Sequence, residues 1–210
     1  MREKDLLDLY ESVKDQISQR IYEFKSFLDN ATEEELFMEL TFCLLTPQSK
    51  ARTAWDAVLN LRDQGLLFKG SAEEIFPAIR GVRFSRTKAK RIVLARQLMK
   101  KFDLMKFLKE RKPEAEKRAI LMELVNGYGM KESSHFLRNV GVGLNLAILD
   151  RHILKNLKLL GVIDEAPKSL TRKLYLEIEE KMRAFSKRIG IPMSHLDLLL
   201  WYKETGEVFK

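Results

Sequence analysis

The chain has 210 residues, 45% of them hydrophobic, and carries 38 Lys and Arg against 30 Asp and Glu, for a net charge of +8. That composition supports a folded core and excludes global disorder, and no stretch approaches the 18 or more consecutive apolar residues of a membrane span. A single cysteine, Cys43, excludes an internal disulfide, a four-cysteine zinc site and a four-cysteine iron–sulfur cluster; the basic balance suits a polyanion such as nucleic acid and equally suits plain solubility.

The opening residues, Met1 to Asp5, include acids and run straight into a helical pattern, so they do not read as a signal peptide. A cytoplasmic, nucleoid-associated protein is the expectation. Leu6, Tyr10, Val13, Ile17, Ile21, Phe24 and Leu28 then step by threes and fours, as one face of a helix does. Thr32 with Glu35, and Ser71 with Glu74, have capping-box spacing and mark helix starts. Cys43, inside an apolar run, reads as an inert packed thiol. The periodicity predicts helices over 4–28, 33–45, 49–63, 72–79, 86–101, 104–111, 114–125, 130–139, 147–159, 169–188 and 193–204, with no strand. The charge run from Lys109 to Arg118 reads as a solvated turn and helix face. In the last third, Leu170, Leu174, Ile178, Met182, Phe185 and Ile189 form another stripe.

The most informative stretch runs from Ile120 to Asn139. An apolar helix enters the turn Gly127-Tyr128-Gly129 and leaves at once as a second helix. Two glycines permit positive φ and close approach of the backbone to another molecule. The free amides opening the second helix suit an anion such as a phosphate. A plain helix–helix connection fits the hairpin equally. Lys131 sits in the first turn of the second helix, where the macrodipole disfavours a cation and partial burial would disfavour it further. A neutral amine is what a Schiff-base nucleophile requires, although a surface lysine also satisfies the pattern. Nineteen residues later Asp150 and His152 stand in an apolar segment that starts a helix; Asp150 reads as a cap or as a carboxylate stabilised by the dipole.

Together, Gly127-Tyr-Gly129-Met-Lys131 followed by Asp150-Arg-His152 resembles the helix-hairpin-helix DNA glycosylase superfamily. The stretch Leu44 to Thr53, with Gln48, and the stretch Ile79 to Ala89, with Lys88, resemble the family's loops upstream of that unit. Within the superfamily the chain is similar to the compact second-type 8-oxoguanine DNA glycosylase/AP lyase of archaea and some thermophilic bacteria, on the segment Gly129 to Asn139 and the ending Leu200 to Lys210. The resemblance implies an all-α fold of two helical lobes with a DNA cleft between them. One lobe would comprise residues 1–34 and 151–210, the other residues 35–150, ending in the hairpin at about 114–140.

The resemblance also implies chemistry. Lys131 would attack C1′ of the damaged nucleotide and support β-elimination, with Asp150 assisting. Gln48 would fill the gap in the duplex, and Gly127, Gly129, His152 and Lys88 would meet DNA. His135, Trp201, Asp197 and Lys210 would recognise the flipped base, Lys210 through its carboxylate. Carbonyls of Glu123, Val125 and Tyr128 would hold a monovalent cation. His195 reads as structural, and no zinc site, iron–sulfur cluster or other cofactor is expected. The implied partner is double-stranded DNA containing oxidised guanine, with no membrane and no obligate protein partner. The alternatives are other oxidised bases or abasic sites on the same scaffold, or a non-catalytic DNA-binding hairpin.

Overall fold

The first apolar stripe is buried along its length, from Leu6 to Leu28, and so forms one long helix, α1 (Glu3–Asn30). The computed structural model describes residues 2–210; Met1, which opens the first expected lobe, lies outside them. Among the described residues there are eleven further helices and no strand: α2 (Glu33–Leu45), α3 (Ala51–Asp63), α4 (Leu66–Lys69), α5 (Ala72–Ala78), α6 (Ser85–Met99), α7 (Leu104–Lys109), α8 (Glu114–Leu124), α9 (Met130–Asn139), α10 (Arg151–Leu159), α11 (Arg172–Ile189) and α12 (Met193–Thr205). Both capping boxes form. The Thr32 and Ser71 hydroxyls accept the amides of Glu35 and Glu74, whose carboxylates accept the cap amides in return. These bonds, from the cap backbones first, hold the carboxyls of Glu35 and Glu74 below their ordinary range. The one helix the periodicity did not predict, α4, is a single turn, too short to show a period.

The chain divides into two compact units, Leu28–Phe136 (unit 2) and Met1–Phe27 with Leu137–Lys210 (unit 1). The second boundary falls inside α9, whose residues serve different cores. Phe136 packs near the Tyr128 ring, centroids 6.2 Å apart, within unit 2. Arg138 stacks on Phe24 at 4.8 Å within unit 1.

Unit 2 is organised on α2. Every residue from Leu36 to Leu45 is buried, as befits a helix that is apolar all round, and α3 and α6 pack against it. Buried cations finish several of its helices. Lys88 donates to Leu45 O and Pro47 O just past the end of α2, Arg96 to Gly70 O after α4, and Lys117 to Leu108 O in α7. Carbonyls at a helix C-terminus lack intrahelical donors and carry negative partial charge, so a cation is favoured there. The charge run at 109–118 is therefore only partly solvated. Lys117 and Arg118 are buried, and Arg118 donates to Ser134 Oγ at 3.2 Å, joining the two helices of the hairpin.

Unit 1 is organised on α12, with Leu196 to Leu200 buried and α10 and α11 packed against it. The helix expected over 147–159 begins only at Arg151, and the run Leu146 to Leu149 is irregular backbone. It is buried nonetheless, so its polar groups must find partners. They find them on α11: Glu179 accepts from Ala147 N (2.8 Å), and the Tyr175 hydroxyl accepts from Leu149 N (3.2 Å) and donates to Ala147 O (2.6 Å). This brace delivers the chain to Asp150. His195, read as structural, is buried and bonds through Nδ1 to the Tyr10 hydroxyl at 2.9 Å.

Candidate active site

In the hairpin, α8 ends at Leu124 and the chain turns through 125–129 into α9. Gly127 has φ +98°, which only glycine adopts without strain. A Cβ there would lie 2.6 Å from Arg91 Cδ, so the Arg91 side chain lies against the turn. Gly129 does not use a positive φ. Its amide donates to the Glu132 carboxylate at 3.1 Å, so the phosphate contact expected at Gly129 meets an amide already engaged by a resident anion. Tyr128, central in the turn, is buried and donates its hydroxyl to Leu40 O of α2 at 2.8 Å. Burial raises that phenol well above its ordinary range and keeps it a donor.

Lys131 follows in the first turn of α9, half-buried. Its Nζ donates to Thr46 Oγ1 at 3.1 Å, and the Thr46 hydroxyl in turn donates to Cys43 O at 3.1 Å. Beside it stands Lys88, only 1% exposed. Its Nζ donates to Leu45 O and Pro47 O, both at 2.7 Å, and lies 3.4 Å from Ser49 Oγ. Burial first, then the charges of Lys131 and Arg91, bring the Lys88 ammonium down to about 8. The nitrogen of Lys88, a residue expected to meet DNA, is engaged inside the protein and fastens the loop that carries Gln48.

That loop is a tight turn, closed by Ser49 N donating to Thr46 O at 3.0 Å. Pro47 takes its second position and Gln48 its third, at φ +56°, a place that usually takes glycine. Gln48 is exposed. Phe84 is the other non-glycine residue with positive φ among those described, at +58°. It is 54% exposed, with the Arg83 guanidinium over its ring at 5.3 Å. Arg83 N donates to Ser49 Oγ at 3.0 Å, tying the two loops together. Strained non-glycine backbone persists only where its surroundings over-determine it, and it concentrates at functional sites. Phe84 and Arg91 were not singled out from the sequence; an exposed aromatic beside a left-handed glutamine becomes visible only in three dimensions.

In unit 1, Asp150 caps α10. One oxygen, Oδ1, accepts the amides of His152 and Ile153, both at 2.8 Å. His152 is half-buried, and its Nε2 accepts from Arg151 Nε at 3.2 Å. Its Nδ1 lies 3.6 Å from Glu204, and its ring stands edge-on to Trp201 with centroids 5.3 Å apart. Lys155 at 2.8 Å, aided by Asn156 and Lys203, holds the Glu204 carboxyl down at about 2. The buried indole N–H of Trp201 has no partner among the described residues. Lys210 is half-buried beyond the buried Phe209. Two residues expected to meet the base are buried. Asp197 is 5% exposed and faces Arg138 at 3.6 Å in an internal ion pair. His135 is also buried, its ring edge-on to Phe42 at 5.4 Å in the unit 2 core. The i,i+4 spacing does place it on the Lys131 side of α9, but from Ser133 onward the whole helix is buried.

Among the described residues no group of three or more His, Cys, Asp or Glu is placed to hold a metal ion, and no helix is long and apolar enough to cross a membrane. The family model described as 8-oxoguanine DNA glycosylase matches residues 17–191. An 8-oxoguanine DNA glycosylase/AP lyase of Fusobacterium nucleatum is 48% identical over 205 residues, covering 96% of this chain and 94% of that one. Among solved structures, the Methanocaldococcus jannaschii 8-oxoguanine glycosylase/lyase in complex with a 15-mer DNA containing 8-oxoguanine superposes with a TM-score of 0.87. It is 38% identical, with 99% of each chain covered. The 8-oxoguanine DNA glycosylase of Thermotoga maritima gives a TM-score of 0.85 at 37% identity, covering 99% of this chain and 98% of that one. A lysine in the first turn of a glycine hairpin, an aspartate capping α10 and this breadth of likeness lead to one conclusion: the chain belongs to the 8-oxoguanine DNA glycosylase family.

Proposed function

We propose that this protein excises 8-oxoguanine from double-stranded DNA and then cleaves the strand 3′ to the abasic site, acting on chromosomal DNA in the cytoplasm. The observation that carries the reading is Lys131: an amine half-buried at the start of α9, held by the Thr46 hydroxyl instead of a carboxylate. That single hydrogen bond fixes where the amine points. In the reaction Lys131 Nζ bonds to C1′ as the glycosidic bond breaks and the base leaves with the electron pair. Opening of the sugar gives an imine, and loss of a C2′ proton expels the 3′ phosphate.

Asp150 stabilises the positive charge that develops on the sugar. Oδ1 is committed to two backbone amides, which fixes the carboxylate and leaves Oδ2 for the substrate. Gln48 and Phe84, exposed on adjoining strained loops, enter the duplex when the lesion is flipped out; an apolar side chain wedged between base steps lowers the cost of unstacking. Trp201 offers an aromatic face and an unused N–H for the extruded base, with Lys210 as a further recognition group. Arg91, His152 and the amides near Gly127 meet phosphates. The carbonyls of Glu123, Val125 and Tyr128 would hold a monovalent cation at the turn, where Val125 O already accepts Tyr128 N at 3.0 Å and has a second lone pair.

The reading is tested by excision from matched duplexes that carry 8-oxoguanine, an oxidised pyrimidine or a preformed abasic site. Base release is expected fastest by far from 8-oxoguanine, with strand cleavage at both that lesion and the abasic site. Equal excision of the two bases would assign a broader substrate class, and nicking of the abasic site alone would make the protein a lyase only.

A further inference from the structure

The residue beneath Lys131 is fixed from three sides. The Thr46 hydroxyl proton is committed to Cys43 O at 3.1 Å, so the oxygen can meet Lys131 Nζ, also at 3.1 Å, only as an acceptor. Thr46 is buried, which removes water as a competing partner for that lone pair. The carbonyls on either side of it, Leu45 O and Pro47 O, are both taken by the buried Lys88 at 2.7 Å. The loop cannot shift without breaking these bonds, and Thr46 closes the turn that follows by accepting Ser49 N.

We propose that Thr46 is a positioning residue for the reaction: its hydroxyl aims the Lys131 amine, and the Lys88 clamp holds that hydroxyl in place. A neutral primary amine has two N–H donors and one lone pair. Pinning one N–H on Thr46 directs the lone pair away from α2, and a nucleophile held near its attack geometry reacts far faster than one free to rotate. The Cys43 carbonyl leaves Thr46 no hydrogen to offer Lys131, so the threonine never competes for the lone pair that attacks. This inference rests on Lys131 being the nucleophile.

The test is single-turnover borohydride trapping on DNA with a preformed abasic site, beside affinity for uncleavable DNA, for Thr46→Val and Thr46→Ser. Valine keeps the shape and removes the acceptor; serine restores it. The inference expects trapping by Thr46→Val to slow on the order of ten-fold, the rate equivalent of one lost hydrogen bond. DNA affinity should hold, and Thr46→Ser should recover most of the rate. Wild-type trapping by Thr46→Val, equal loss in both variants, or slowing matched by lost affinity would each overturn it. Lys131→Gln in the same assay separates the two ideas: if it still traps, the nucleophile is misassigned, whereas its failure beside normal trapping by Thr46→Val refutes only the role given to Thr46.

Discussion

Lys88 holds an ammonium almost wholly out of water, and three oxygens of one loop are what it receives in return. The arrangement has a definite pH signature. Its folded-state value of about 8 lies below the 10.5 of an ordinary lysine, so between these values the unfolded chain binds the extra proton and the folded one does not. Stability must then rise with pH across that window; the cost of burying the charge is fully present below about pH 8 and gone above 10.5. Thermal unfolding of the wild type and Lys88→Met from pH 7 to 10.5 checks this. The wild type is expected to gain on the variant as pH climbs past 8, and a constant difference would contradict the assigned burial. The family resemblance drew attention to Lys88 through its loop, but the clamp itself was illegible, because nothing in a lysine's neighbours along the chain reveals carbonyls 43 residues away. Thr46 was illegible for the same reason: its partner is 85 residues distant.

At the scale of elements, the hairpin depends on one backbone conformation and one anchor. Gly127 supplies φ +98°, and Tyr128 fastens the turn to α2 through Leu40 O. Gly127→Ala is expected to cost about 1–3 kcal/mol, the usual price of forcing a side chain into such a region. It should also displace Arg91, which occupies the space of the new methyl. Chemical denaturation together with DNA affinity measures both, and an unchanged midpoint would mean the turn relaxes freely. Most helices were legible because their caps and stripes are local: Thr32 with Glu35, Ser71 with Glu74, the α1 stripe. The exception at Leu146–Leu149 is instructive. Four apolar residues before an aspartate look like a helix start, but Asp150 caps the helix itself, and the run before it is held irregular by Tyr175 and Glu179. Glu179 lies on the Tyr175 side of α11, one turn on, where a purely apolar stripe would not have revealed it.

For the whole molecule, the net charge of +8 pointed toward a polyanion, yet several of its basic residues are interior: Lys88, Arg96, Lys117, Arg118 and Arg138 are buried. Charge therefore says less about DNA than the particular groups left exposed on the Gln48 and Phe84 loops and around the hairpin. The proposed chemistry draws on Lys131 of unit 2 and Asp150 of unit 1, two positions that stand out in the sequence because one motif names them in order. The reaction ascribed to them stands or falls on a covalent bond from the lysine nitrogen to the sugar. Borohydride reduction of the protein on duplex DNA with a single 8-oxoguanine tests it most directly. The wild type should be captured as a stable protein–DNA adduct whose modified peptide contains Lys131, and Lys131→Gln should give none while still binding the duplex. An adduct of equal yield with Lys131→Gln, or one mapped to another residue, would contradict the account.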